Sequence, residues 1–165
     1  MSNASYYSLL NNGKLTGDVI GAVEATAPVS ATGDTLTCTM DTHAGRTIEI
    51  SAVAGCAVTL PAATGTGSVY RFVIGATITS NSTTIKVANT TDVMTGRAFV
   101  VSDNTAAVLG FATAAASDTI TLNGTTLGGL IGYHIEIIDA IAGTFAVRVF
   151  TAATGTEATP FSATV

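Results

Sequence analysis

Few side chains in this sequence could do acid–base, nucleophilic or metal chemistry: His43, His134, Cys38, Cys56 and eleven scattered Asp and Glu residues. His43 lies in Asp41-Thr42-His43-Ala44-Gly45. With one of the many serines, Asp41 and His43 could form a triad on paper, the imidazole taking the serine proton and the carboxylate orienting the ring. The Gly-x-Ser-x-Gly elbow that presents such a serine is absent from the sequence. His134 alternates with Glu136, which puts both on one face of a strand and reads as a solvated or interfacial strand face.

Metal and phosphate chemistry find no better footing. Cys38, His43, Cys56 and His134 are suitable ligand types, but the chain has neither a CxxC nor an HxxxH spacing. The acidic residues form no calcium loop of the DxDxDG kind. Gly65-Thr66-Gly67 leads into Ser68-Val69-Tyr70, a strand-like run, whereas phosphate cradles need a helix N-terminus there. The expectation is a protein with no catalytic residue, no cofactor and no metal.

The elements that would carry these residues are strands. Apolar residues alternate with Thr in Leu36-Thr37-Cys38-Thr39-Met40, and shorter runs repeat the pattern at 48–50, 57–60, 84–87, 98–101, 108–111 and 119–122. Residues 69–74 are apolar except Arg71, which predicts a strand covered on both faces. Residues 131–138 and 144–150, joined by Ala140-Ile141-Ala142-Gly143, read as a β-hairpin. No segment holds a helical period over three turns. The fold expected is all-β, an antiparallel β-sandwich or small jelly-roll-like barrel over residues 26–165. AATGT recurs at 62–66 and 152–156, with a looser copy at 31–35, at unequal spacings that predict reused turns rather than a solenoid repeat.

Residues 1–25 hold no period and read as an extended N-terminal arm. Tyr6, Tyr7, Leu9 and Leu10 are large, need covering, and are the candidate partner-binding residues. Cys38 and Cys56 fall in strand-like segments, where two buried free thiols are the default in a reducing compartment.

Composition points to association. Only 10% of the 165 residues are charged and 47% are hydrophobic, so little full charge must leave water when a partner covers the surface. The net charge of -5, with six Lys and Arg and no two adjacent, argues against nucleic acid as a partner. No apolar stretch reaches the ~20 residues of a membrane helix, so no membrane partner is expected. The N-terminus lacks the pattern of a secretory signal, which predicts synthesis in a cytoplasm.

Three stretches resemble a known group: TLPAATGTGSVYRFVIGATITSNSTTIKVANTTDVMTG at 59–96, FATAAASDTITLNGTTLGGLIGYHIEIID at 111–139, and ATGTEATPFSATV at 153–165. They are similar to phrases found in tailed-phage virion structural proteins, including capsid decoration (cement) proteins and head- or tail-fibre components. The resemblance implies a virion protein on the capsid exterior, made in the host cytoplasm. Its partners would be the major capsid protein and further copies of itself, with a homotrimer favoured because shells offer three-fold positions. The alternative it leaves open is a fibre component that binds a host receptor or glycan. The first 50 residues carry little of it.

Overall fold

Thr, Val, Ile and Phe at alternate positions make strands because branched and aromatic side chains pack well on a pleated surface and lose freedom in a helix. The structure is a computed structural model that describes residues 10–11, 14–15, 27–105 and 107–165. It is all-β, with 48% strand and 3% helix, in two sheets packed as a sandwich with no closed barrel. Tyr6, Tyr7 and Leu9 lie outside the described residues. Leu10 begins β1 (Leu10–Asn11), which pairs antiparallel with β2 (Lys14–Leu15). Between them the sequence reads Asn12-Gly13, a strong short-hairpin signal that the arm expectation leaves out.

The chain next alternates between the two sheets. β3 (Val29–Ala31), β5 (Thr47–Ile50) and β7 (Val69–Ile74) are parallel neighbours in the larger sheet. β4 (Thr35–Thr37), β6 (Ala57–Thr59) and β8 (Thr83–Lys86) are parallel neighbours in the smaller one. This half of the domain is therefore a flattened winding of three turns, so the sandwich is built from mixed rather than wholly antiparallel sheets. Val29 pairs with Ile48 and Ile48 with Phe72, so the turns differ in length and leave no fixed period.

The second half is mostly antiparallel. It comprises β9 (Val93–Ser102), β10 (Val108–Ala112), β11 (Thr119–Leu122), β12 (His134–Ile141), β13 (Thr144–Ala153) and β14 (Phe161–Ser162). The larger sheet has the order β10-β9-β13-β12-β7-β5-β3, and the smaller β14-β11-β8-β6-β4. β12 and β13 form the expected hairpin, which turns at Gly143 with φ of 78°. β13 runs parallel to β9 along its whole length.

Between the sheets, Ile48, Phe72, Ile135, Val149 and Ala98 form one inward row, and Val58, Ile85 and Ile120 face them from the smaller sheet. All eight are buried, and each large one contributes about 1.5–3 kcal/mol by leaving water. Two local expectations change. The strand expected to run to Met40 stops at Thr37, because Thr39 caps a single helical turn, α1 (Met40–His43), its side chain accepting the Thr42 N–H. Strand β7 is covered on one face only, with Arg71 exposed on the other.

Candidate functional site

Buried polar groups are the first place to look for chemistry, and the three buried carboxylates of the described residues are committed to holding the chain. Asp139, buried on β12, accepts the backbone N–H groups of Thr64, Gly65 and Thr66 and the hydroxyls of Thr64 and Thr66, at 2.7–3.3 Å. Burial alone would raise its pKa, but these donors outweigh it and hold the carboxyl below its ordinary value. Asp118 is arranged alike: burial pushes it up, while hydrogen bonds from Thr164, Thr119 and Val165 bring it below the usual range. Asp92 accepts the Ala63 N–H at 2.7 Å and the Asn89 amide at 2.8 Å. These three carboxylates clip turns and the C-terminal tail to the sandwich.

The sequence candidates for catalysis and metal binding are dispersed. His43 is buried in α1, and its Nδ1 accepts the Thr39 N–H at 3.0 Å. His134 stands on the outer face of the larger sheet, while Cys38 and Cys56 are free thiols in the core. Burial pushes the Cys38 thiol up to about 12, with the neighbouring Cys56 adding to it. Among the described residues, no three of His, Cys, Asp and Glu come together as a metal site.

The outer face of the larger sheet has a different character. Pairing across β9, β13, β12 and β7 sets Arg97, Arg148, Glu136 and Arg71 side by side in one row. Arg71 Nε lies 3.3 Å from Glu136 Oε2; Arg97 and Arg148 have no ion pair among the described residues. One step along the strands, Phe99, Phe150 and His134 form a second row. The Phe150 ring centroid is 5.7 Å from those of both Tyr133 and His134. Phe99 is 40% exposed and Phe150 38%, so apolar aromatic surface lies open beside unpaired guanidinium groups. A depression of about 220 Å³, lined in part by Thr95, Ala146, Arg148 and Glu136, borders the rows.

The cations are scattered along the sequence, and the fold gathers three of them in this row. Residues 71, 97 and 148 are far apart along the chain, and only strand order brings them together. Alternation within each strand does identify them as outward-facing, which is the one signal the sequence offers. Among the described residues the smaller sheet's outer face lacks such a patch: Thr37, Thr59, Lys86, Thr119 and Ser162 lie in one row across it, with Thr119 buried beside Thr164. Asymmetry between the faces makes the Arg and aromatic rows the candidate docking surface, since Arg and aromatic side chains dominate binding hot spots. Comparison with family models, curated proteins and solved structures finds no match to this chain.

Proposed function

We propose that this chain is a non-enzymatic structural protein of a bacteriophage virion, a capsid decoration protein that binds the major capsid protein and reinforces the shell. The observation that carries the docking part is the exposed Arg97–Arg148 pair beside Phe99 and Phe150 on the outer face of the larger sheet. Sheet faces with a few aromatic and Arg anchors suit a broad protein contact, and the low charge elsewhere limits the desolvation cost of covering them. The three buried carboxylates, Asp92, Asp139 and Asp118, are occupied by the backbone N–H groups of turns and of the C-terminal tail. Placement on a capsid rests on the sequence resemblance.

In this reading the sheet face docks, and the segment carrying Tyr6, Tyr7, Leu9 and Leu10 reaches a neighbouring capsid subunit. Each contact is weak alone, and joining them on one molecule raises the effective concentration of the second. Co-sedimentation of the purified chain with capsids stripped of it is the test. The full chain should saturate the lattice. Deletion of residues 1–20 should leave a folded domain that no longer coats it. Full occupancy by the deletion variant would refute the arm's role, and no binding by the full chain would refute the decoration reading.

The second reading, a fibre component that binds a host receptor or glycan, draws on the depression beside Arg148 and the Tyr133–Phe150–His134 cluster. Saturable binding of host surface glycan, with none to capsids, would favour it.

A further inference from the structure

Strand β10 is the open edge of the larger sheet, with β9 on one side and no strand on the other among the described residues. The other three edges of the sandwich are short: β3 and β4 have three residues each and β14 two. Short edges are one way proteins avoid joining sheets. β10 has five residues, Val108-Leu109-Gly110-Phe111-Ala112, without a charge or a proline, and Val108 is 57% exposed. Among the described residues, none of the devices that block edge pairing is present along it.

The direction of its backbone groups follows from the ladder. Ser102 N–H donates to Ala107 O, and Thr113 N–H to Gly96 O. Alternation in an antiparallel pair then turns residues 109 and 111 toward β9, and leaves the N–H and C=O of Val108, Gly110 and Ala112 pointing outward. All three of those residues are exposed.

We propose that β10 is the self-association edge of this protein, pairing antiparallel with β10 of a second copy about a two-fold axis through Gly110. The observations select that occupant because the segment is self-complementary when reversed about its glycine. Gly110 meets Gly110 of the other copy, Val108 meets Ala112, and Leu109 meets Phe111. Leu109 and Phe111 are half-buried on the core side, so each pair covers apolar surface that the single copy leaves partly open. A Cβ at Gly110 would meet nothing within 4 Å, so the sheet face at the glycine is open. Charges do not clash: Arg97 stands beside Ala112, whose opposite number is Val108, itself beside Val101.

Outward groups of three residues on each copy give about six backbone hydrogen bonds. A contact this small, without a large buried core, is expected to hold with a dissociation constant on the order of 10 μM. The isologous pair joins the two larger sheets into one and presents both Arg rows on the same side. This inference stands apart from the decoration reading and departs from the three-fold expectation, since a β10 pair closes at two copies.

Sedimentation equilibrium of the full chain, run to on the order of 100 μM, tests it together with cysteine trapping. A dimer is expected, and Gly110→Pro, which removes an outward donor and fixes φ there, should weaken it at least about tenfold. Gly110→Ala should stay dimeric. Under mild oxidation Gly110→Cys should cross-link to itself, because directly opposed residues in a hydrogen-bonded pair bring their Cα atoms within disulfide reach. Val108→Cys should cross-link only when mixed with Ala112→Cys. Should Gly110→Pro fail to fold, the trapping pattern decides. A monomer throughout, a trimer, or a dimer in which Gly110→Cys does not cross-link would overturn the proposal.

Discussion

Arg97 and Arg148 stand directly opposite each other in the parallel ladder between β9 and β13, two like charges side by side on an open sheet face. Like charges in that position weaken a sheet slightly, so the pair is a poor choice for stability alone. Glu136 is next in the row and is engaged with Arg71. Replacing both with Gln (R97Q with R148Q) removes that repulsion and should leave the melting temperature unchanged or slightly raised. Binding to the proposed capsid partner should fall by about a hundredfold, since two anchors are lost at once. Binding isotherms at two salt concentrations check it: the wild-type affinity should drop with added salt, and the variant's should not.

Asp139 gives the second prediction. Its carboxylate gathers donors from residues 64–66, so Asp139→Asn leaves several of them unmatched and should cost about 2–3 kcal/mol. The pH dependence has a definite sign. Asp139 and Asp118 both have folded-state pKa values below their ordinary ones. They therefore stabilise the fold fully above the unfolded carboxyl range near pH 4, and this contribution is lost as pH falls through the folded values. Denaturant midpoints between pH 7 and pH 2 should fall steeply for the wild type and less steeply for Asp139→Asn.

Gly96 sets how closely β9 and β13 approach beneath the Arg pair. A Cβ there would fall on the Val147 carbonyl oxygen, which is backbone and cannot turn aside. Gly96→Ala should destabilise by about 1–3 kcal/mol, read as a lower denaturant midpoint. Gly110→Ala, in the neighbouring strand with open space at its Cβ, is the matched control.

Cys38 and Cys56 should behave as core residues. A thiol raised to about 12 is almost entirely protonated at pH 8 and a poor nucleophile. Alkylation followed by intact mass should add nothing to the native chain within an hour and two groups after denaturation.

The sequence made individual strands legible because their evidence is local. Ile48-Glu49-Ile50 and Thr144 to Phe150 alternate with the period of a pleat, and both are strands with the expected residues inward. Strand order was not legible, because β3, β5 and β7 are joined by excursions of unequal length through the other sheet. For the same reason the Arg row stayed hidden, its members coming from four strands. Asp139 likewise looks like an ordinary strand end until the fold brings residues 64–66 to it. The one-turn helix at Met40–His43 depends on a Thr39 cap that the alternating Leu36–Met40 pattern masks.

The most direct test of the central claim is a cryo-electron-microscopy map of the particle that carries this chain. The account predicts copies across the capsid lattice, with the sheet face bearing Arg97, Arg148 and Phe150 turned toward acidic surface of the major capsid protein. Copies confined to the tail, or bound on the lattice with that face toward solvent, would contradict it.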